Sequence, residues 1–260
     1  MIYFKTTDDI EIIRNNGDLL GRTHAEVAKI LKPGVSTKKL DKIAEEFIKD
    51  NDAVPSFLNY NGFPASLCIS VNEVVVHGIP SSYELKDGDI VSIDCGVYKN
   101  GFHADSAYTY SVGEVSDDVK LLLSTTKASL YEAISSMKTN ARIGDISYTV
   151  QSFVEQKGFT VVRELVGHGV GKKLHEKPDV PNYGKRGRGT KLENGLVIAI
   201  EPMVNLGAKS IVQERDGWTI RTKDRKPSAH YEHTVAFYDG KPDILTTFEY
   251  IENILDKQYA

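Results

Sequence analysis

Asp94, Asp105, His168, Glu201 and Glu232 each sit on or beside a run of residues that otherwise reads as β-strand. Asp94 and Asp105 flank Asn100-Gly101, the strongest short-range signal for a two-residue hairpin turn. With that turn, paired positions sum to 201, so Asp105 faces Gly96 and Asp94 shares its side of the ladder. The two carboxylates are then diagonal neighbours, about 7–8 Å apart at the backbone, and Gly96 leaves space beside them.

His168 stands among three glycines in Leu165-Val-Gly-His-Gly-Val-Gly171, and His175 follows seven residues later. Glu201 ends the apolar run Val197-Ile-Ala-Ile, and Glu232 opens Glu232-His-Thr-Val-Ala-Phe237. His77 closes Val74-Val-Val-His-Gly. Taken singly, a charged residue on a strand usually faces solvent. Four carboxylates and an imidazole in apolar surroundings need a cation or protons to compensate them. Hard oxygen donors with one imidazole suit divalent Mn, Fe, Co or Zn, whereas an all-oxygen Mg or Ca site has no need of the histidine. Four carboxylates balance two divalent ions, and paired ions of that kind activate water for a displacement. The residues therefore point to a dinuclear hydrolase.

Composition narrows the setting. The 260 residues are 40% hydrophobic and 26% charged, with a net charge of −4, which weighs against a nucleic-acid footprint and so against DNA as a partner. No apolar run is long enough to span a bilayer, and the first residues lack a basic-then-apolar signal layout. Cys68 and Cys95 are the only cysteines, too few for a disulfide framework or a Cys-rich zinc module. A cytoplasmic, monomeric protein is expected.

The site must be positioned by a mixture of helices and antiparallel strands, an α+β chain. A helix is expected from residue 8, capped by Thr6 or Thr7, with Ile10, Ile13, Gly17, Leu20, His24, Val27 and Leu31 on one face. Pro33-Gly34 stops it, and Ser36 or Thr37 starts a shorter helix carrying Leu40, Ala44, Phe47 and Ile48. Ser116 opens a second long helix, followed by another short one with Ile146, Val150, Phe153 and Val154. The apolar positions of the short helices differ by a constant 106. Strands are expected over 66–76, 89–98, 102–112, 160–166, 195–201, 209–222 and 231–238. The whole reads as one domain, 1–260, with repeated halves near 8–112 and 116–240.

Together these segments resemble the type I methionine aminopeptidases of the pita-bread fold. The resemblance runs along nearly the whole chain, through Lys32-Pro-Gly-Val-Ser-Thr, Asn61-Gly-Phe-Pro, Cys68 to Pro80, Gly101-Phe-His-Ala-Asp105, Gly167-His-Gly-Val-Gly, Ala199-Ile-Glu-Pro, Asp216-Gly-Trp-Thr and Tyr231-Glu-His-Thr. It implies a pseudo-twofold fold with a curved central sheet covered by helices. It also implies release of the initiator methionine from nascent polypeptide N-termini. Asp94, Asp105, His168, Glu201 and Glu232 would hold two divalent ions, with Glu201 also moving a proton. His77 and His175 would position the substrate and stabilise the tetrahedral intermediate. Tyr60, Phe63, Cys68 and Trp218 would line the methionine pocket.

Carbonyls of Asn72, Val74 and Ser228 fall where the family often holds a monovalent cation. Phe63, Leu174 and Val76 depart from the commoner Tyr, Phe and Cys, which alters the pocket lining. An N-terminal extension and a helical insertion known in relatives are expected to be absent. A prolidase-like relative would need an additional preceding domain. Two basic clusters, Lys185/Arg186/Arg188/Lys191 and Lys209/Arg215/Lys223/Arg225/Lys226, could contact ribosomal RNA transiently.

Overall fold

The computed structural model describes residues 1–258. Helix α1 (Thr7–Ile30) begins at Thr6, whose hydroxyl accepts from the Asp9 amide while the Asp9 carboxylate accepts from the Thr6 amide. This reciprocal cap satisfies two otherwise unpaired donors. The expected apolar face is buried from Ile10 to Val27, with Leu31 just beyond the helix end. Each buried Leu, Ile or Val there contributes about 1.5–3 kcal/mol relative to exposure. Helix α2 (Thr37–Asp50) follows, capped by Ser36.

Strands β1 (Val54–Pro55), β2 (Leu67–Val71), β3 (Val74–Val76), β4 (Ile90–Lys99) and β5 (Phe102–Ser111) complete the first half. Helices α3 (Asp117–Ser135) and α4 (Ile143–Gln156) then precede β6 (Thr160–Val161), β7 (Val166–Gly169), β8 (Glu176–Pro181), β9 (Leu196–Ile200) and β10 (Met203–Asn205). The chain continues through β11 (Ile211–Gln213), β12 (Ile220–Thr222), β13 (Ser228–His230), β14 (His233–Tyr238), β15 (Lys241–Ile244) and α5 (Glu249–Gln258). Helices α2 and α4 each have 14 residues; their first residues, 37 and 143, and their last, 50 and 156, are each 106 apart. Leu40, Ala44 and Ile48 on one and Ile146, Val150 and Val154 on the other are all buried.

All named strand pairs are antiparallel. One sheet has the order β1-β4-β2 with β5 also on β4, and another runs β15-β14-β9-β7-β8. Helix α1 packs on β4 and β5, flanked by α2 and α5, while α3 packs on α4 and on β13, β10 and β9. Asn100 and Gly101 adopt φ of 52° and 86°, the doubly positive turn that matches strand twist. Gly96 pairs with Asp105 as the turn arithmetic required.

Several expected strands are interrupted. Residues 66–76 divide at Asn72, whose φ is 52°; its side chain bonds Asp89 and the Ile90 amide, and its own amide donates to the Ile90 carbonyl. Residues 209–222 divide at Asp216, which accepts from the amides of Trp218 and Thr219 to form a tight turn. The run 160–166 is strand over Thr160–Val161 and again only at Val166, where β7 begins, and Glu232 lies between β13 and β14 rather than within a strand. Strands β8 and β15 carry prolines, Pro178, Pro181 and Pro242, that masked them in the sequence.

Candidate metal centre and substrate cavity

Strand β5 runs beside β14 of the five-stranded sheet and beside β13 of a three-stranded sheet ordered β13-β10-β6, and small hydroxyl side chains make the joins. Thr234 Oγ1 accepts from the Asp105 amide at 3.0 Å and donates to the Asp105 carbonyl at 2.8 Å. Ser106 Oγ donates to the Glu232 carbonyl at 2.8 Å, and the Glu232 amide donates to the Ala107 carbonyl at 2.9 Å. Thr109 Oγ1 donates to the His230 carbonyl at 2.7 Å and accepts from the His230 amide at 2.9 Å. These contacts set Asp105 and Glu232 side by side although 127 residues separate them in sequence.

Asp105, His168 and Glu232 are all buried, with donor atoms within 4.8 Å of one another. His168 Nε2 stands 3.8 Å from Asp105 Oδ2 and 3.7 Å from Glu201 Oε1. Its Nδ1 lies 2.9 Å from the Gly169 carbonyl. A carbonyl partner requires Nδ1 to carry the proton, so the Nε2 lone pair faces the acids. That is the arrangement typical of a metal-binding histidine. Asp94 comes from β4 and Glu201 follows β9.

Without a counter-charge this cluster is strained electrostatically. Burial, then the charges of Asp105 and Glu201, push Asp94 well above the usual carboxylate range. Burial likewise raises Glu201 and Glu232, with Asp105 adding to each. Asp105 is pushed up to about 7, chiefly by burial, and burial pushes His168 down to about 3. Asp94 Oδ1, Asp105 Oδ1 and Glu232 Oε1 are buried with no hydrogen-bond partner among the described residues. Such atoms cost about 1–3 kcal/mol each, more when charged. The residues therefore fit divalent cations: negative, oxygen-rich, unsatisfied and supplied with one correctly oriented imidazole.

One cavity of about 410 Å³ gathers every site residue expected from the sequence: Tyr60, Phe63, Cys68, His77, Asp94, Asp105, His168, His175, Glu201, Trp218 and Glu232. Its apolar end packs Phe63 edge-on to Trp218, with ring centroids 5.2 Å apart. His77 holds a left-handed backbone with φ of 58°, a conformation that non-glycine residues adopt mainly where function or a turn demands it. Its ring stands edge-on to Trp218 at 6.4 Å. His175 Nδ1 lies 2.8 Å from the Tyr60 hydroxyl, and its ring centroid lies 4.1 Å from that of His168.

Phe57, Leu174, Met203 and His230 also line this cavity. Leu174 is expected in the pocket lining from the resemblance, whereas Phe57 and Met203 read as ordinary core residues in the sequence. His230, two positions before Glu232, carried no spacing signal of its own. At the expected cation carbonyls, the Asn72 carbonyl accepts from the Ser228 amide at 2.9 Å.

Helix-flanked antiparallel sheets converging on a buried acid–imidazole cluster define a metallopeptidase, and the chain belongs to metallopeptidase family M24, which it matches over residues 11–238. The fold is the pita-bread fold of that family. Among its relatives, methionine aminopeptidase from Clostridium perfringens is 52% identical over 95% of this chain and 99% of its own length. Methionine aminopeptidase 1 from Bacillus subtilis is likewise 52% identical, covering 95% and 99%. The crystal structure of methionine aminopeptidase from Thermotoga maritima superposes with a TM-score of 0.93 at 41% identity, covering 95% of this chain and all of that one.

Proposed function

We propose that this protein is a metal-dependent methionyl aminopeptidase that removes the initiator methionine from nascent polypeptides, preferring a small second residue. The observation that carries the reading is the single cavity in which an aromatic-walled apolar end adjoins the acid–imidazole cluster. Asp94, Asp105, His168, Glu201 and Glu232 hold two divalent ions, drawn from Co, Mn, Fe and Zn. When bound, such ions supply Lewis acidity toward the scissile carbonyl and acidify water.

The chain's own residues do the rest. Tyr60, Phe63, Cys68 and Trp218 enclose the methionine side chain and select it by size. Glu201 accepts a proton from water and delivers it to the leaving amine. His77 and His175 orient the substrate and donate hydrogen bonds to the oxygen on which negative charge develops. The site lies within one catalytic domain, 1–260, whose halves near 8–112 and 116–240 repeat one plan; the matched bounds of α2 and α4 support this reading. The Asn72, Val74 and Ser228 carbonyls hold a monovalent cation that braces the cavity wall.

The enzyme acts in the cytoplasm as a monomer. Among the described residues no helix is long and apolar enough to cross a membrane. The two basic clusters give it a transient, salt-sensitive contact with ribosomes. The test of the function is peptide hydrolysis after adding each metal to chelator-treated protein. Release of methionine from Met-Ala-Ser, with no cleavage of Xaa-Pro peptides, is expected. The opposite preference, or hydrolysis unaffected by metal removal, overturns the assignment.

A further inference from the structure

His230 lies outside the donor set read from the sequence, yet its ring faces the same carboxylates. It is 2% exposed, and its Nε2 has no hydrogen-bond partner among the described residues. That nitrogen stands 3.7 Å from Glu201 Oε2 and 3.9 Å from Glu232 Oε2. Glu201 is thus flanked on both sides, because its other oxygen, Oε1, lies 3.7 Å from His168 Nε2.

The two imidazoles are not equivalent. His168 presents a lone pair, its Nδ1 being committed to the Gly169 carbonyl. His168 Nε2 also lies within 4.8 Å of donor atoms of both Asp105 and Glu232, whereas His230 Nε2 faces Glu201 and Glu232. When Glu201 and Glu232 are ionised, as cation ligands are, a lone pair on His230 Nε2 would be repelled by both, whereas an N–H there would be attracted. The backbone of His230 is independently fixed, paired with Met203 across β13–β10 and held from both sides by Thr109 Oγ1. The ring is therefore carried beside the carboxylates on a fixed stretch of backbone.

We propose that His230 is a positioning residue whose Nε2–H donates to the Glu201 carboxylate oxygen turned away from His168. It fixes the orientation in which Glu201 both holds a cation and moves a proton. The remaining gap is closed by rotation of the Glu201 carboxylate about its last torsion, which is broad for this side chain. Hydrogen-bond partners of metal ligands typically contribute 10–100-fold to affinity or activity. The proposal rests on the reading of Glu201 given above.

Two variants test it. His230→Leu keeps bulk and removes the donor; His230→Gln keeps an N–H near the position of Nε2 and removes the imidazole. Calorimetric titration of Co(II) into metal-free protein, the visible spectrum of the Co(II) form, and kcat and KM on Met-Ala-Ser are measured for both. The proposal expects His230→Leu to bind Co(II) about tenfold or more weakly and to lose kcat rather than raise KM. It expects His230→Gln to recover most of both, with an unchanged Co(II) spectrum. Wild-type affinity and turnover in His230→Leu overturn it. So does a His230→Gln variant as impaired as His230→Leu with a shifted Co(II) spectrum, which makes the imidazole itself a ligand. If His230→Leu does not fold, the affinity and spectrum of His230→Gln decide alone. Wild-type protein that neither binds Co(II) nor releases methionine overturns the underlying function instead.

Discussion

Gly96 pairs directly with Asp105 across the β4–β5 ladder, and the space its missing side chain leaves is already filled. A Cβ at Gly96 would lie 2.7 Å from Ser56 Cβ and 3.0 Å from Phe57 Cε1. The Ser56 amide donates to the Gly96 carbonyl at 2.9 Å, and Ser56 Oγ bonds His103 Nδ1 at 2.9 Å. The gap beside the aspartates thus seats the segment that brings Phe57 to the cavity wall. Gly96→Ala should push that segment away, destabilise the fold by about 1–3 kcal/mol through overpacking, and weaken turnover. Urea unfolding together with peptide kinetics checks this; wild-type values in both would show that the segment moves freely.

Tyr60→Phe isolates the hydroxyl that holds His175 at 2.8 Å. The ring and its contribution to the methionine pocket remain. Loss of one hydrogen bond of about 1 kcal/mol corresponds to about a fivefold fall in rate. That fall should appear in kcat on Met-Ala-Ser, with KM nearly unchanged. An effect confined to KM would place the hydroxyl in substrate binding instead.

Local patterns were legible from residues alone, and long-range joins were not. The spacing of Ile10, Ile13 and Leu20 marked α1, and Asn100-Gly101 carried enough information to pair Gly96 with Asp105. The acids and His168 could be recognised as a group because charged residues are costly in apolar runs. Ser106, Thr109 and Thr234, which join the sheets and so place Asp105 beside Glu232, follow no periodicity. His230 went unseen for a related reason: its importance comes from facing Glu201, which a chain reversal supplies. Helix α5, packed on α1 and carrying the buried Ile251, was also missed, since its ten residues are too few to display a long repeat.

Asp105→Asn separates stability from function. The substitution keeps size and the backbone contacts to Thr234, and it removes one buried charge from the crowded cluster. Metal-free protein should therefore melt at or above the wild-type temperature, while divalent metal binding and methionine release are lost. Calorimetric titration and melting of the same sample check both halves. A variant that still hydrolyses Met-Ala-Ser in a metal-dependent way would remove Asp105 from the ligand set.

The pH dependence of metal-free stability has a definite sign above pH 6.5. Asp105 has an ordinary pKa of 3.8 and a folded value of about 7, so the folded chain keeps a proton that the unfolded chain has released. Its stabilising contribution is full below about pH 4 and is lost as pH rises through 7. Asp94, Glu201 and Glu232 are shifted in the same direction. Buried histidines oppose this at lower pH: His24 is held down to about 4, and His168, His230 and His233 to about 3. Their contribution grows as pH rises and is complete above 6.5, the ordinary histidine value. Between about pH 6.5 and 8 the carboxylates dominate, so the melting temperature of chelated protein should fall. Added Mn(II) replaces the protons, so the metal-induced rise in melting temperature should grow over the same interval. Paired melting curves with chelator and with Mn(II) check this, and a metal-induced rise that stays constant with pH would show that the carboxylates are already ionised in the metal-free fold.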